Sequence, residues 1–298
     1  MSYITRPYQK AIREATVVVA ASDSKDKTRA DYVCTGSNDQ NTINEAIDSL
    51  PSGGGGVLLL DGQYNLSSYI SIMKNYVSLF GQGFGTLLYL ENGANTSVIR
   101  VGDESTTLKG IYIGHLQING NKANQSTATE CDGIYFYGGS SNYITDSLIE
   151  WVYTHDNYFS GIGLWYTRYV TVANIISDSN DHNGIEINYG EKNMVLSSLL
   201  SNNVTVGHGI LIVGSNYNRI IANHTTGNTV AGMGFDTNAD NNLIVGNIIE
   251  ESTPIKWWSP GDNNYFVANE FLNDPDMSYG LFRSIKVGTV VEDLLEEI

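Results

Sequence analysis

A short phrase recurs every 22 to 28 residues from residue 133 onward, and this repeat restricts the possible folds more than any other feature. A period in the twenties is typical of a solenoid, in which one turn cannot bury its apolar face alone and must stack on its neighbours. The copies are "GIYFYG" from Gly133, "GIGLWY" from Gly161, "GIEINY" from Gly184, "GILIVG" from Gly209, "GMGFDT" from Gly232 and "PIKWWS" from Pro254.

Within each copy, apolar residues alternate with others at a period of two, which predicts a strand rather than a helix. Leucine-rich repeats have a similar period, but they need a fixed leucine ladder that this sequence lacks. The abundance of glycine (31 residues) and the scarcity of proline (5 residues) also suit strands joined by tight turns. The sequence therefore predicts an all-β protein built as a single-stranded parallel β-helix.

Asparagine recurs in the turns at two constant phases, which supports the same fold. Asparagine tolerates the left-handed backbone of a tight bend, and stacked asparagine side chains can hydrogen-bond from coil to coil. The first column contains Asn142, Arg168, Asn193, Asn218, Asn242 and Asn264, and the second contains Ser147, Ala173, Ser198, Asn223, Asn247 and Asn269.

The stretch before residue 133 is less regular and predicts a cap on the solenoid. "GSNDQNTINEAIDSLPSGGGG" reads as a helix that starts near Ser37 or Asn38, carries Ile43, Ala46, Ile47 and Leu50 on one face, and ends before Pro51. Such a helix can cover the open end of the coils. We predict one domain with an irregular segment at 1–34, a capping helix and turn at 35–56, coils at 57–275 and a C-terminal cap at 276–298.

Charge and cysteine content exclude several function classes. With 32 acidic and 16 basic residues, the net charge of −16 argues against binding to nucleic acid or to anionic membranes. Cys34 and Cys131 are too few for a disulfide framework and lack metal-ligand spacing, so buried free thiols are expected. The N-terminal stretch has no continuous apolar core of a signal peptide, and no run is long enough to span a membrane.

A family resemblance rests on "NDQNTINEAIDSLPSGGGGVLLLDGQYNLSS" followed by "VSLFGQGFGTLL". These segments resemble the N-terminal signature of the pectate-lyase-like superfamily of right-handed parallel β-helices, and the resemblance spans about residues 35 to 275. The superfamily includes polysaccharide lyases, polygalacturonases, mannuronan epimerases and phage tail spikes. The resemblance thus implies a right-handed coil, but it does not choose among these activities.

Neither of two enzyme families transfers its catalytic residues to this chain. Polygalacturonases carry a Gly-His-Gly, which matches His208, but their paired aspartates fall on His182 and Asn183, and their Arg-Ile-Lys falls on "GFD". Inverting hydrolysis needs two carboxyl groups that this alignment does not supply. Mannuronan epimerases carry a Tyr and an Asp-Pro-His-Glu, none of which is kept in "GIGLWYTR", and a further Asp falls on Asn188.

The strand alternation predicts a polar and aromatic strip along one outer face. Exposed Tyr and Trp rings suit sugar faces, and amides or carboxylates between them can bind hydroxyl groups. The alternative is that Trp165 and Trp258 pack beneath loops. The predicted substrate-binding residues are Tyr135, Tyr137, Trp165, Arg168, Asn188, His208, Asp236, Lys256 and Trp258.

The loops "YTHDNYFSG" and "SDSNDHNG" place acid–base residues within one or two coil spacings of Glu186. A histidine beside a carboxylate can act as a general base, and Tyr158 or a histidine can protonate a leaving oxygen. The predicted catalytic residues are His155, Asp156, Asp181, His182 and Glu186. The same acidic group (Asp178, Asp181 and Glu186) could instead hold Ca²⁺, or it could be a solvated loop cluster without chemistry.

These observations predict a β-helix protein that recognises a polysaccharide and, if it is an enzyme, acts as a lyase, epimerase or glycosidase. The alternative is a non-catalytic virion or surface protein, such as a tail-spike body whose face binds glycans. An extracellular or virion-associated location is expected in either case. By resemblance, a secreted enzyme would be a monomer and a tail-spike-like protein a homotrimer.

Overall fold

A computed structural model describes residues 16–126, 130–258, 261, 263–272 and 285–287. The chain winds into successive coils, and each coil adds one strand to a set of parallel sheets. Each strand pairs with its counterpart one coil earlier and one coil later. This is the right-handed parallel β-helix that the repeat and the resemblance predicted.

Eight parallel strands form one face of the coil, which we call the front sheet. Its strands are the five glycine-led repeats, the repeat that starts at Pro254, and two earlier strands. Their bounds are Ile70–Ile72, Ile99–Val101, Ile134–Tyr137, Ile162–Trp165, Ile185–Asn188, His208–Val213, Ala231–Asp236 and Ile255–Trp257. A small three-stranded corner sheet follows the front sheet and consists of Leu108–Lys109, Ile144–Thr145 and Thr167–Arg168.

The remaining strands form a long back sheet that bends midway along each coil. The strands before the bend are Thr16–Ala20, Gly55–Leu59, Val77–Phe80, Thr171–Ala173, Met194–Leu196, Arg219–Ile221, Leu243–Val245 and Asn264–Val267. Those after it are Gly62–Leu66, Thr86–Leu90, Ile176–Asp178, Leu199–Ser201, His224–Thr226, Ile248–Ile249 and Glu270–Phe271. Tyr112–Asn119 and Leu148–His155 run through the bend, Tyr32–Val33 pairs with Thr16–Ala20, and Ile285–Val287 pairs antiparallel with Asn264–Val267.

The apolar residues of each repeat point into the coil and form one continuous core. Ile134, Phe136, Ile185, Ile187 and Ile212 are fully buried, as are the other inward residues of the front sheet except in its last strand, where Ile255 and Trp257 are partly buried. Since a slip of one residue would turn these side chains outward, their burial confirms the predicted register.

The capping helix is confirmed as α1 (Asp39–Ser49), which packs against the strands at 62–66 and 70–72. Its predicted face of Ile43, Ala46, Ile47 and Leu50 is buried. The strands Thr16–Ala20 and Tyr32–Val33 precede the helix, so the segment predicted to be irregular at 1–34 already contributes to the back sheet. The predicted cap at 276–298 lies outside the described residues apart from 285–287.

Both asparagine columns exist as hydrogen-bonded ladders in the later coils. In the first ladder, the backbone N–H of Asn193 donates to Asn218 Oδ1, and the pattern continues through Asn242 to Asn264. The second ladder contains Ser198, Asn223, Asn247 and Asn269. In both, each side-chain oxygen accepts a hydrogen bond from the preceding coil.

The prediction is wrong for the early coils, where other residues occupy the two ladder positions. Ser147 and Val170 occupy the first ladder position, and Val152 and Ile175 occupy the second, so Asn142, Arg168 and Ala173 lie outside them. Two physical reasons account for this. The stretch from Gly133 to Ser147 spans 14 residues, whereas Gly184 to Asn193 spans nine, so an insertion shifts the phase. The next coil fills both positions with apolar residues, which carry no polar marker.

A third ladder, absent from the sequence prediction, joins the back sheet to the front sheet. The backbone N–H and Nδ2 of Asn157 both donate to Asn180 Oδ1, at 3.1 and 2.6 Å. The same pattern continues from Asn180 to Asn203 and from Asn203 to Asn228, and it ends at Glu251. All five side chains are buried, so the ladder satisfies backbone groups where the chain turns inside the protein.

No helix among the described residues is long and apolar enough to cross a membrane.

Candidate functional site

The outer face of the front sheet carries the predicted strip, and strand pairing places its members in two rows. One row contains Tyr135, Gly163, Glu186, Leu211, Gly234 and Lys256. The second row contains Tyr137, Trp165, Asn188, Val213 and Asp236, with Trp258 following the last strand. The strip is less open than expected, because Tyr135, Glu186 and Asn188 are buried by neighbouring side chains.

A third row beside the strip consists of the residues that immediately precede the repeat glycines: Asp132, Ser160, Asn183 and His208. These four residues are consecutive rungs, because Ser160 N donates to Asp132 Oδ1 at 3.0 Å and His208 N donates to Asn183 Oδ1 at 3.2 Å. All four are buried. We call these residues, together with Glu186 and Asn188, the front-face cluster.

Glu186 lies at the centre of the front-face cluster. Its Oε2 accepts hydrogen bonds from Asn183 Nδ2 at 3.1 Å and Ser160 Oγ at 3.4 Å, and its Oε1 accepts one from Asn188 Nδ2 at 3.2 Å. Two asparagines, Asn183 just before the strand and Asn188 at its end, thus hold the two carboxylate oxygens from opposite sides. The Asn188 Oδ1 atom is buried and has no hydrogen-bond partner among the described residues.

His208 connects to Glu186 through Asn183. The Nδ1 atom of His208 lies 2.8 Å from Asn183 Oδ1, which can only accept, so Nδ1 carries the proton. Burial lowers the pKa of His208 to about 4, so the ring is neutral near pH 7. Its Nε2 is therefore an unprotonated acceptor, and within the described part of the chain this buried atom has no partner.

The two carboxyl groups of the cluster hold their protons more tightly than usual. Burial raises the pKa of Asp132 well above its ordinary value, and the negative charge of Glu186 raises it further. Burial also raises the pKa of Glu186, although its three hydrogen-bond donors act in the opposite direction. We therefore expect Asp132 to remain protonated to a higher pH than Glu186.

Two glycines leave room around the cluster. A Cβ atom at Gly163 would lie 3.1 Å from the Tyr135 ring and 3.3 Å from the Asp132 carboxyl carbon. A Cβ atom at Gly234 would lie 2.9 Å from His208 Cδ2 and 3.0 Å from the Trp258 ring. Because these two glycines have no side chains, Asp132 can lie over Gly163 and His208 can lie over Gly234.

Aromatic side chains border the cluster on both ends. Tyr135 stacks on Tyr137 with ring centroids 5.0 Å apart, and the edge of Trp165 meets Tyr135 at 6.1 Å. At the other end, Trp258 is 46% exposed and its ring lies 5.0 Å from His208. Lys256 is exposed nearby, and Asp236 accepts a hydrogen bond from the backbone of Thr237.

Arg168 is not part of this face. It lies in the corner sheet, where its Nε is 3.1 Å from Glu191 Oε2 and its guanidinium lies 3.6 Å from the centre of the Tyr143 ring. The structure therefore separates Arg168 from the predicted substrate-binding strip, because the chain turns a corner after Trp165.

His155, Asp156 and Asp178 are also separated from Glu186, because they lie on the back sheet or directly after its strands. His155 Nδ1 is 2.8 Å from Asp156 Oδ2, and its Nε2 is 2.9 Å from the Gln117 amide. Asp178 accepts hydrogen bonds from Ser201, Asn202 and Ser179, which lower its pKa against the effect of burial. We call these three residues the His155 group.

The remaining predicted residues lie in the loop before Gly184 and point to other partners. Asp181 accepts a hydrogen bond from Thr205 Oγ1 at 3.0 Å. The His182 ring packs on Phe159 at 3.9 Å, and burial lowers the pKa of this histidine. In the described residues, no three His, Cys, Asp or Glu side chains group closely enough to hold a metal ion. Asp178, Asp181 and Glu186 therefore do not form the Ca²⁺ site considered above.

Sequence reasoning missed Asp132, Ser160 and Asn183. The signal that could have found them is positional, because the residue before the repeat glycine is polar in four successive coils and then becomes Ala231. Cys34 and Cys131 are free and buried, as predicted, and burial raises the pKa of each thiol to about 12.

Solved structures share this architecture at low sequence identity. The A-module of the mannuronan C-5 epimerase AlgE4 of Azotobacter vinelandii is 18% identical, with a TM-score of 0.61 over 80% of this chain and 76% of that one. The pre-mature bacteriophage phi29 gene product 12 is 14% identical, with a TM-score of 0.61 over 80% of this chain and 33% of that one. DFA-IIIase from Arthrobacter chlorophenolicus A6 is 12% identical, with a TM-score of 0.56 over 85% and 68%.

Identities this low show a shared fold rather than a shared activity. Together with the coil geometry, they confirm the right-handed parallel β-helix fold. Residues 90–279, more than half of the chain, match the family described as periplasmic copper-binding protein (NosD), and the chain belongs to that family. A comparison with curated protein sequences finds no match.

Proposed function

We propose that this protein binds a polysaccharide along the outer face of the front sheet and processes it there by proton transfer. One observation carries the proposal: His208 Nε2 and Asn188 Oδ1 are buried acceptors without partners in the described part of the chain, and both belong to the cluster around Glu186. A buried acceptor without a partner is costly, so this cluster is built to receive a donor from outside. Sugar hydroxyl groups are such donors.

The surroundings of the cluster favour a sugar chain over a small polar ligand. Trp165 and Trp258 border it along the axis of the coil, and aromatic rings combine apolar area with a polar edge that suits pyranose faces. The name of the similar AlgE4 module, a mannuronan epimerase, adds support for a polysaccharide. We expect a location outside the cytoplasm or on a virion, in line with the periplasmic description of the family.

The chemistry proposed for the cluster is general acid–base catalysis. Neutral His208 offers the lone pair of Nε2 as the base, and Asn183 fixes its tautomer. Glu186 lies on the adjacent strand, about 4.8 Å from the His208 strand, and burial raises its pKa, which favours its role as the proton donor. Removal of one proton and delivery of another is common to lyases and epimerases, so the cluster supports that reaction class without choosing between the two.

The test is incubation with a broad panel of polysaccharides, scoring unsaturated products, changes in sugar configuration, reducing ends and binding separately. We expect at least one polymer to be converted by the parent, and Glu186→Gln to abolish conversion while binding persists. Conversion by Glu186→Gln at the parental rate would reject the proposed site. Binding without conversion by the parent would leave a glycan-binding protein and reject the catalytic part.

The family description refers to copper, so we ask whether the side chains of this protein could bind a copper ion. Copper sites use histidine, cysteine or methionine side chains brought together. The two cysteines are buried and lie far apart in the sequence, and no three His, Cys, Asp or Glu side chains of the described residues group closely enough to hold a metal ion. These donors therefore do not fit a copper site, and no step of the proposed reaction uses a metal.

A second candidate function is a non-catalytic virion component that binds glycans on the same face. The similarity to the phage phi29 protein, which covers one third of that longer chain, favours this alternative. Such proteins would be expected to form trimers, whereas a secreted enzyme would be a monomer. Light scattering on the purified protein, read together with the conversion assay, distinguishes the two.

A further inference from the structure

A depression of about 330 Å³ lies at the corner where the front sheet gives way to the corner sheet. It is separate from the front-face cluster and shares no residue with it. Its lining combines a carboxylate, two hydroxyls, an amide and an aromatic ring, supplied by Glu104, Ser140, Ser141, Asn142 and Tyr166, with Gly139 at its base. Its volume is at the lower end of the range for small-molecule sites, which is about 300–1,000 Å³.

A row of tyrosines extends from this depression along the axis of the coil. Tyr166 and Tyr189 stack with ring centroids 5.1 Å apart and an interplanar angle of 16°, and Tyr143 meets Tyr166 edge-on at 6.0 Å. The Tyr189 ring lies against Gly214 in the next coil, where a Cβ atom would lie 2.8 Å from it. The stacked rings thus form a continuous aromatic row that leads out of the depression.

The backbone at this corner makes tyrosine a poor choice on structural grounds alone. Tyr166 and Tyr189 have φ angles of 49° and 52°, in the left-handed region, and the same corner position in the next coil is Gly214. Glycine or asparagine adopts this conformation with less strain than tyrosine does. The backbone therefore does not select tyrosine here, any more than at Tyr217, and what distinguishes these two rings is their stack beside the depression.

The charges around the depression favour an uncharged ligand. The Glu104 carboxylate accepts a hydrogen bond from the Tyr137 hydroxyl and lines the site. The two guanidinium groups of this region are already paired, Arg168 with Glu191 over the Tyr143 ring and Arg100 with Glu130 over the Tyr137 ring. An acidic sugar would therefore meet a carboxylate without a free cation to offset it, whereas sugar hydroxyl groups can donate to Glu104 and to the Asn142 amide oxygen.

We propose that this depression and its tyrosine row form a second carbohydrate site that binds one or two rings of an uncharged oligosaccharide. The proposal stands on the corner residues and does not require the front face to be catalytic. Tyr137 connects the two regions, because it lies at the end of a front-sheet strand and hydrogen-bonds Glu104. A polymer bound at the front face could therefore continue across the corner.

The test measures binding of uncharged hexasaccharides (cellohexaose, laminarihexaose and maltohexaose) and of a hexamer of galacturonic acid by calorimetry. The variants are Tyr166→Ala at the corner, Trp165→Ala at the front face, and Tyr217→Ala as the matched control. Tyr217 is also left-handed, with φ of 59°, and is 55% exposed, so its replacement removes a comparable ring at a comparable backbone cost. Thermal melting confirms that each variant is folded.

We expect at least one uncharged hexasaccharide to bind, and Tyr166→Ala to weaken it at least tenfold while Tyr217→Ala changes it less than twofold. Unchanged affinity in Tyr166→Ala, or no binding of any uncharged hexasaccharide by the parent, would overturn the corner site. Glu104→Gln should weaken binding of the uncharged sugar by a few fold, and stronger binding of the acidic hexamer than of every uncharged sugar by the parent would overturn the ligand class.

The outcomes separate this site from the front face. Weakening by Trp165→Ala alone would retain the front-face proposal and reject the corner. Weakening by Tyr166→Ala alone would retain the corner site and count against the front-face proposal.

Discussion

The front-face cluster and the His155 group are both polar, both combine histidine with carboxylates, and both come from the same repeating coils. They differ in how completely their hydrogen bonds are used. In the His155 group, both ring nitrogens have partners and Asp178 accepts from three neighbours. In the front-face cluster, His208 Nε2 and Asn188 Oδ1 are buried without a partner in the described residues. Unused buried hydrogen-bonding capacity, rather than residue type, thus distinguishes the front-face cluster from the His155 group.

The largest expected effect is on catalysis. His208→Gln keeps a polar side chain but removes the imidazole base, and it should lower kcat by about 100- to 10,000-fold, the usual contribution of a general base. His155→Gln should leave kcat within about threefold. Steady-state kinetics on the substrate found by panel screening measures both. Equal losses in the two variants would remove the distinction between the two groups.

A second prediction tests whether the cluster lies outside the coil. Ile187 is fully buried between Glu186 and Asn188, so Ile187→Asp should place an unpaired charge in the core and reduce the free energy of unfolding by about 4 kcal/mol. Val213→Asp, on the outer side of the neighbouring strand, is the control and should cost less than about 1 kcal/mol. Urea denaturation gives both values, and similar losses would mean that the register is incorrect.

A third prediction concerns the third ladder, whose role we expect to be structural. Asn180→Ala removes two acceptor contacts to Asn157 and the side-chain donor contact to Asn203, so we expect a loss of about 2–3 kcal/mol. Asn142→Ala, outside the ladders, should change stability by less than about 0.5 kcal/mol. Chemical denaturation of the pair decides this, and an unchanged midpoint for Asn180→Ala would show that the ladder contributes little.

The smallest expected effect is a pH dependence at Asp132. A carboxyl group whose pKa is raised on folding keeps its proton while the unfolded chain releases one, so stability falls as the pH rises above about 3.9, the unfolded value. An amide in place of the carboxyl group mimics its protonated form at every pH. The Asp132→Asn variant should therefore match the parent near pH 4 and become increasingly more stable than the parent as the pH rises to 8.

Urea denaturation of Asp132→Asn and of the parent at pH 4.5, 6 and 8 measures this difference. Ser160→Ala serves as a control because it alters the same row without a titratable group. A stability difference that does not change with pH would contradict the assigned direction of the Asp132 pKa.

The regular part of the fold was predictable, because alternation at each repeat glycine determines which side chains face the core. Ile187 is buried, and Ile43 and Ile47 form the inner face of α1, as predicted. The phase failed where the coil after Gly133 contains extra residues and where Val170 and Ile175 replace polar rungs. In both places the periodic signal is physically absent from the sequence.

The candidate site was predictable only in part. Glu186, Asn188 and His208 share the front face, as expected from strand register. His155 and Asp178 were grouped with them because they are close in sequence, but the chain turns between the two sheets and directs these side chains elsewhere. Asp132 was missed because proximity across two coils depends on the length of the intervening turns, which residue spacing does not reveal.

The third ladder has a direction, and this direction bears on how the protein could be lengthened. Each asparagine donates toward the next coil, and the run stops at Glu251, whose carboxylate accepts from Asn228 but has no side-chain N–H to pass on. A duplicated unit such as 180–202 would add one more asparagine inside the ladder. This asparagine would accept from the rung before it and donate to the rung after it. A unit added after residue 251 would meet the Glu251 backbone N–H but no side-chain donor. Internal duplication therefore preserves both hydrogen bonds of each rung, whereas addition after the last member preserves only the backbone one.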